Sequence, residues 1–143
     1  MKSSEFYKTT AWKHFSRYCL LYYSKDGDLV KCSTSGRYYA LNDKRMHCGH
    51  LVKVFNGNSS NFSVAFDFRN VLPQCHKENV HKGGNELVMM QAVDKIHGEG
   101  TTKELIEKSK QWFKLDKSTL DQIAKEYKQK FDDLVKKKGN PWK

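Results

Sequence analysis

Residues 47–85 read HCGHLVKVFNGNSSNFSVAFDFRNVLPQCHKENVHKGGN, and the predicted fold depends on this stretch. Two apolar runs, 51–55 and 64–66, flank a polar segment rich in Asn and Gly, 56–61. Apolar runs of this length bounded by turn residues indicate strands, whereas the apolar steps of three and four residues after Gly84 indicate a helix. The stretch therefore predicts a strand, a loop, a second strand and a helix, with imidazole, thiol and amide groups near the ends of these elements.

The length and composition of the chain predict one folded domain. It has 143 residues, of which 38% are hydrophobic and 13% aromatic, which is enough to form a hydrophobic core. We expect an N-terminal helix with a knuckle-like hairpin in residues 1–46, a central core in 47–98 and C-terminal helices in 99–143. No internal repeat or low-complexity segment interrupts this organisation.

The formal net charge of +10 favours a polyanionic partner, although a basic protein without such a partner is the alternative. Nucleic acid is favoured over a membrane because no basic amphipathic helix with a wide apolar face is evident. The N-terminal residues lack the apolar segment of a signal peptide, and no apolar run approaches the ~18 residues that span a bilayer. Four Cys without a secretory signal are expected to be thiols or metal ligands rather than disulfides. We expect a cytoplasmic protein.

The N-terminal third predicts one helix followed by a β-hairpin. Thr9 or Thr10 can cap the helix, because a hydroxyl accepts a hydrogen bond from the first backbone N–H groups. The apolar side chains on its expected buried face are Trp12, Phe15, Cys19 and Tyr22. Residues 29–32 and 37–41 then form the two halves of a predicted hairpin.

The C-terminal half predicts three helices. The first ends at Gly98, and its expected apolar face contains Leu87, Met90, Val93 and Ile96. Thr101 and Glu104 have the spacing of a capping box for the second, and Ser118 can cap the third. The expected apolar contacts of the second are Leu105, Ile106, Trp112 and Phe113. The expected face of the third is Leu120, Ile123, Ala124, Tyr127, Phe131, Leu134 and Val135.

Three side chains in the central stretch could perform metal-assisted phosphodiester hydrolysis. A neutral imidazole such as that of His50 can remove a proton from water. A divalent cation held by oxygen or nitrogen donors can stabilise charge on the leaving oxygen. An amide such as that of Asn70 or Asn79 has a donor and an acceptor, so it can fix an imidazole ring or bridge two loops.

The same residues resemble a known family of nucleases. Gly49-His50 and the interval from Asn70 to Asn79 resemble the HNH, or ββα-metal, endonuclease motif, and the resemblance is closer to the phage NinG/Rap recombination proteins. That family typically shows C-x-x-C-G, then D-A-G-H, F-D-x-R-N-V, Q-C-x-x-C-N and G-N. The matching segments here are Cys32-x-x-Ser35-Gly36, His47-Cys48-Gly49-His50, Phe66-Asp67-Phe68-Arg69-Asn70-Val71, Gln74-Cys75-x-x-Glu78-Asn79 and Gly84-Asn85. The match covers nearly the whole chain and implies an α+β fold with a ββα-metal core.

The resemblance also implies roles for four residues. His50 matches the general base that activates water, and Asn70 matches the catalytic residue that orients the base and ties the motif together. Asn79 matches a metal ligand, and His47 stands where the family has Asp as the other ligand. Imidazole suits Zn, Mn or Ni better than Mg, but the sequence does not distinguish among these cofactors. Because His47 and His50 are three residues apart, a regular strand would place them on opposite faces, and joint action would require a bulge.

The structural zinc of the family is the main departure. This chain keeps Cys32 and Cys75, while Ser35 and Glu78 stand in the other two ligand positions. A neutral hydroxyl is a poor zinc ligand beside thiolates, so we expect no tightly bound zinc, with packing holding the hairpin to the helix. The alternative is an altered residual site that contains Cys32, Cys75 and Glu78, with His76 adjacent.

The resulting prediction is a metal-dependent DNA endonuclease that acts in phage recombination, in the cytoplasm of the infected bacterium. The resemblance implies branched or single-strand-containing substrates, such as Holliday junctions or D-loops, and a symmetric junction would suit a homodimer. The candidate phosphate contacts are Lys44, Arg45, Lys53, Lys77, His81 and Lys82. One alternative is a non-catalytic DNA-binding accessory protein. Another is a protein-interaction module that uses the last amphipathic helix.

Overall fold

The structure is a computed structural model that describes residues 1–81 and 85–143. Its helices are α1 (Ser3–Phe6), α2 (Thr10–Tyr23), α3 (Glu86–His97), α4 (Thr101–Ser109) and α5 (Lys117–Lys138). Its strands are β1 (Leu29–Lys31), β2 (Tyr38–Ala40), β3 (Met46–His50), β4 (Phe55–Asn56), β5 (Ser59–Ser60) and β6 (Val71–Cys75). Two 3₁₀ turns, Phe62–Val64 and Phe68–Asn70, precede β6, and a π-helical turn, Lys77–His81, follows it. The fold is mixed α+β, as the sequence predicted.

Helices α2 and α5, from the N-terminal and C-terminal parts of the chain, pack against each other. Thr9 Oγ1 accepts a hydrogen bond from the backbone N–H of Trp12 at 3.2 Å, which confirms the predicted cap of α2. The buried face of α5 includes Tyr127, whose ring contacts Phe15 of α2 edge-on at 4.7 Å. Lys138 donates from Nζ to the carbonyl oxygens of Leu21, Tyr22 and Ser24. A cation is favourable there because the C-terminal carbonyls of a helix carry a partial negative charge.

Strands β3 and β6 form the centre of the molecule. They pair antiparallel without interruption from Met46 opposite Cys75 to His50 opposite Val71. The connection between them, 51–70, contains the short β4–β5 hairpin, and α3 follows β6 after the π-helical turn. The described order is therefore strand, loop, strand, helix.

The predicted strand positions at 51–55 and 64–66 are wrong. Leu51, Val54 and Val64 are buried, but they belong to the connection rather than to the central strands. Apolar residues report burial, and an irregular segment that crosses the core must bury side chains as a strand does. The central pairing instead uses Met46–His50, which contains two His and a Gly, because strand pairing depends on backbone hydrogen bonds to β6 and not on apolar content.

Two helix caps differ from the prediction. Gly100 precedes α4 without a side-chain cap, and Glu104 contacts Arg69 instead of completing a capping box. The carboxylate of Asp94 accepts a hydrogen bond from the N–H of Thr102 at 2.7 Å and supplies the missing cap from another helix. Asp116, not Ser118, caps α5 through the N–H of Thr119 at 2.9 Å. The predicted end of α3 at Gly98 is confirmed.

Several expected core contacts are also wrong. The aromatic ring of Trp112 is 85% exposed, and Tyr22, Leu87, Ile96, Ile106 and Phe113 are exposed as well. Met89 and Val93 are the buried residues of α3. Part of this difference arises because α3 packs on its neighbours through a face rotated from the one that the apolar spacing predicted. Among the described residues, no helix is long and apolar enough to cross a bilayer.

Candidate active site

An open cavity of about 850 Å³ lies beside β3. Residues from α1, α2, β3, the connection after it, the π-helical turn and α3 line it. The lining includes Tyr7, Trp12, His47, His50, Asn79 and Glu86. The cavity therefore contains three of the four residues to which the resemblance assigned chemistry, and it is large enough to admit part of a polymeric substrate.

His50 stands at the end of β3 with its imidazole fixed by one hydrogen bond. Its Nε2 lies 3.0 Å from the carbonyl oxygen of Ala65. Because a carbonyl oxygen can only accept, Nε2 must carry the hydrogen, and the lone pair of the neutral ring is therefore on Nδ1. Burial lowers the pKa of His50 to about 4, and the bond to Ala65 opposes this shift only in part. At neutral pH the ring is uncharged and can accept a proton.

Aromatic side chains from the N-terminal segment surround His50. Trp12 stacks on the imidazole, with ring centres 5.0 Å apart and planes 29° apart. The rings of Phe6 and Tyr7 lie 6.5 and 6.4 Å away. These apolar faces exclude water from one side of the imidazole, which disfavours its charged form and accounts for the lowered pKa.

Asn70 is completely buried, and three hydrogen bonds satisfy its side chain. Its Nδ2 donates to the carbonyl oxygens of Val52 at 3.0 Å and Val64 at 3.1 Å. Its Oδ1 accepts from the N–H of Val52 at 2.8 Å. Asn70 thus joins the start and the end of the connection, and it holds the peptide preceding Ala65, the residue to which His50 bonds. It acts on the imidazole through this backbone and makes no described contact with the ring.

Asn79 approaches β3 from the π-helical turn. A Cβ atom placed on Gly49 would collide with Gln74 and lie 3.1 Å from Asn79 Oδ1, so the bare backbone of Gly49 permits this approach. His47 lies two residues before Gly49, on the same face of the strand. The unbroken pairing of β3 and β6 contains no bulge, so His47 and His50 face opposite ways, although both line the cavity.

The imidazole of His47 is also oriented by a backbone carbonyl. Its Nε2 lies 3.1 Å from the oxygen of Lys44, so Nε2 carries the hydrogen and Nδ1 is available as a donor to a metal. Burial lowers the pKa of His47, the bond to Lys44 raises it, and the neighbouring His76 lowers it further. The net effect favours the neutral ring, which is the form that binds metals.

The lining of the cavity offers few donors to a cation. Within residues 1–81 and 85–143, no group of three or more His, Cys, Asp or Glu side chains could hold a metal. His47 and Asn79 supply one nitrogen and one oxygen donor, and Glu86 is the only carboxylate among the described lining residues. Such a set leaves coordination positions for water and a substrate phosphate, as hydrolytic metal sites require.

Sequence reasoning missed Glu86, Tyr7 and Trp12 as lining residues. The spacing of Trp12 indicated a buried helical face, and no sequence signal placed that face against an imidazole. Glu86 appeared only as the first residue of a helix. Their proximity to the cavity results from the packing of α1, α2 and α3 around β3.

A second group of side chains, named here the cysteine junction, consists of Cys32, Ser35, Cys75 and Glu78. Ser35, Cys75 and Glu78 line a separate cavity, and Cys32 lies directly beneath it, in contact with Cys75. The N–H of Cys75 donates to Cys32 Sγ at 3.2 Å, and Ser35 Oγ lies 3.9 Å from Cys75 Sγ. Burial raises the pKa of Cys32, but hydrogen bonds from Cys75 and Ser35 outweigh it and lower the pKa to about 7. Glu78 accepts from Asn85 at 3.1 Å. These donors do not fit a tetrahedral zinc site, because the described part of the chain offers no three-ligand group there.

The candidate phosphate contacts are not gathered at one site. Lys44, Arg45, Lys53 and Lys77 are exposed. Lys53 lines the main cavity, whereas Arg45 pairs with Asp43 at 2.8 Å and lies over the ring of Tyr39. The side chain of His81 and all of Lys82 lie outside the described residues.

Comparison with known proteins identifies the family of the chain. The family model for the bacteriophage lambda NinG protein matches residues 1–138. The chain belongs to the NinG family. This confirms the predicted family and a bacteriophage, recombination-related role. Neither a curated protein nor a solved structure matches the chain significantly.

Proposed function

We propose that this NinG-family protein is a metal-dependent DNA endonuclease with a ββα-metal core that cleaves branched DNA during phage recombination. The observation that best supports the proposal is the state of His50. Its neutral imidazole is fixed through Nε2, its lone pair is on Nδ1, and the ring lines an open cavity. A general base needs this combination of protonation state, orientation and access.

His50 would remove a proton from the attacking water through Nδ1. The proton then resides on a ring whose opposite N–H remains bonded to Ala65, so the imidazolium keeps its orientation. A ring with a pKa of about 4 is a weak base, but the negative charge of a bound phosphodiester would raise this pKa because it stabilises the charged form. Substrate binding would thus strengthen the base.

Asn70 and Trp12 would position the base without touching the substrate. Asn70 fixes the backbone next to Ala65, and Trp12 restricts rotation of the imidazole by stacking on it. Orientation of this kind lowers the entropic cost of reaching the transition state.

Asn79 and His47 would hold the divalent cation, and Glu86 lines the same cavity as a further candidate ligand. Because β3 has no bulge, the shared cavity and not one strand face would bring the cation and His50 together. The cation, when bound, stabilises negative charge on the leaving oxygen. Its protein ligands include an imidazole where the family has Asp, so Mn, Ni or Zn suits the site better than Mg.

The DNA-binding surface would comprise the exposed cations beside the cavity. Lys53 is closest to the chemistry because it lines the cavity, and Lys44 and Lys77 would extend the positive surface beyond the end of the ladder where Met46 pairs with Cys75. With a net charge of +10, binding should weaken strongly as salt rises. A two-fold symmetric junction would be bound by two copies of the chain.

The second candidate function is a non-catalytic DNA-binding accessory protein. The observation that favours it is the loss of hard ligands: His47 replaces Asp, and no described trio of His, Cys, Asp or Glu could hold a metal. The third interpretation, an interaction module that uses α5, is disfavoured because Tyr127 and Phe131 of its apolar face are buried in the core.

Cleavage of branched and linear DNA with Mg, Mn, Ni or Zn tests the proposal. We expect cleavage of branched DNA, lowered about 10²-fold or more in His50→Ala because the proton acceptor is lost. His14→Ala is the matched control, since His14 lies on α2 outside the lining of the cavity. Full activity of His50→Ala would contradict the mechanism, and salt-dependent binding without cleavage in any metal would favour the accessory role.

A further inference from the structure

Two imidazoles meet at the end of the β3–β6 ladder away from His50. The ring centres of His47 and His76 are 5.1 Å apart and their planes meet at 79°. The N–H of His76 donates to the carbonyl oxygen of Arg45 at 2.6 Å, which extends the ladder one step beyond the pair Met46 and Cys75. The backbone therefore fixes both residues, and their side chains emerge on the same side of the sheet.

The separation of the two rings matches shared coordination of one cation. Two imidazoles that bind one ion at about 2.1 Å, with an angle of about 90–110° at the metal, have ring centres about 4.5–5.3 Å apart. The observed 5.1 Å falls in this range.

His47 also has the outer contact that is typical of metal-binding histidines. A ligating imidazole usually donates its second N–H to a carbonyl or carboxylate, which fixes the ring and raises the basicity of the coordinating nitrogen. The bond of His47 Nε2 to the Lys44 carbonyl at 3.1 Å is such a contact, and it directs Nδ1 to act as the ligand atom.

We propose that His47 and His76 form a two-imidazole site for a borderline divalent transition-metal cation of the zinc, nickel and cobalt class. His76 has no matching position in the family pattern, and its participation gives the site two nitrogen ligands, which disfavours Mg. Because the described residues offer no third His, Cys, Asp or Glu ligand, water or a phosphate completes the coordination.

This site goes beyond the nuclease proposal, because it requires only the two imidazoles and not cleavage. If the protein does cleave DNA, the ion shared by His47 and His76 lies at the edge of the cavity that contains Asn79 and His50. The replacement of Asp by His at position 47 would then change the metal that supports the reaction instead of abolishing it.

Isothermal titration of the full chain with NiCl₂ and ZnCl₂, without DNA and near neutral pH, tests the site. Loss of an outer contact of a metal ligand costs about 10–100-fold in affinity, so loss of a ligand should cost at least about tenfold. We expect His47→Ala and His76→Ala each to weaken binding by that factor. His14→Ala should bind as the unchanged chain does, since His14 lies on α2.

The cobalt spectrum separates this site from the cysteine junction. Imidazole and water ligands give weak visible bands, whereas thiolate ligands add an intense near-ultraviolet charge-transfer band. Absence of binding, binding that His76→Ala leaves unchanged, or a thiolate band would each overturn the proposal. Because the titration contains no DNA, its outcome is independent of the cleavage assay. A protein that does not cleave DNA can still bind the metal, and a protein that cleaves DNA can fail to bind it.

Discussion

The candidate active site, on β3, and the cysteine junction, which includes Cys75 at the end of β6, differ in the contacts that their polar groups make. At the active site, His50 and His47 each use one ring nitrogen to bond a backbone carbonyl, and both rings line an open cavity. At the junction, Cys32 is buried and accepts a hydrogen bond from the backbone of Cys75. The difference is that hydrogen bonds and burial hold the two Cys side chains within the fold, whereas both imidazoles line a cavity and keep one ring nitrogen out of these backbone bonds.

The largest expected effect is the loss of stability on replacing Asn70, which supports the active site. Asn70→Ala removes three hydrogen bonds and leaves two part-buried backbone groups of Val52 and one buried group of Val64 without that partner. Each such group costs about 1–3 kcal/mol, so we expect the free energy of unfolding to fall by about 4 kcal/mol. Urea unfolding followed by circular dichroism measures the change.

Asn61→Ala is the matched control, because Asn61 makes one described side-chain hydrogen bond, to the carbonyl of Lys53, at an exposed position. It should cost less than about 1 kcal/mol. Equal losses in the two variants would show that the connection is not held by Asn70.

A smaller loss of stability is expected on replacing Asp67, whose ion pair with Lys108 joins the connection 51–70 to α4. Burial would raise the pKa of Asp67, but hydrogen bonds from Arg69 and Lys108 outweigh it and hold the pKa at about 2. Since the folded pKa is depressed, the stabilisation is present above pH ~4, where Asp is ionised in the unfolded chain, and it is lost as pH falls through about 2. Asp67→Asn should therefore lower the free energy of unfolding by about 2 kcal/mol at neutral pH, and the difference should vanish in acid.

Asp43→Asn tests whether the stabilisation contributed by Asp67 depends on the burial of its carboxylate. Hydrogen bonds from Arg45 also lower the pKa of Asp43 to about 2, but its pair with Arg45 is exposed. We expect little change in stability, because exposed ion pairs contribute little. Urea midpoints across a pH series compare the two variants, and a loss in Asp43→Asn as large as that in Asp67→Asn would contradict the distinction.

The smallest expected effect concerns metal removal at the cysteine junction. Because hydrogen bonds and burial hold Cys32 and Cys75 together, a strong chelator should leave the melting temperature of His76→Ala, which lacks the proposed two-imidazole site, unchanged. Differential scanning calorimetry with and without chelator provides the measurement. A large drop in melting temperature that also occurs in His76→Ala would show that the junction still depends on a structural metal.

Sequence patterns predicted much of the helical structure, because the residues at helix ends have characteristic types. Thr9 and Gly98 mark the start of α2 and the end of α3 as expected. The predicted caps of α4 and α5 were wrong, because Asp94 and Asp116 accept the hydrogen bonds from the backbone N–H groups at the starts of these helices. Asp94 acts from a different helix, so no local pattern could reveal it.

The central strands illustrate the limit of periodicity. Residues 51–55 looked more strand-like than 46–50, because apolar content reports burial and not hydrogen-bond pairing. The matching motif indicated which side chains belong to the site, but not that Asn70 would bond Val52 and Val64 rather than His50. Nor could spacing reveal the stacking of Trp12 on the imidazole, since that contact joins separate elements.

The ring state of His50 is the central claim, and nitrogen-15 imidazole NMR of the free protein tests it most directly. The signals are assigned by their loss in His50→Gln. We predict a neutral ring with its hydrogen on Nε2 that stays uncharged until pH approaches about 4. A ring with its hydrogen on Nδ1, or one that titrates near the ordinary value of about 6.5, would contradict the account.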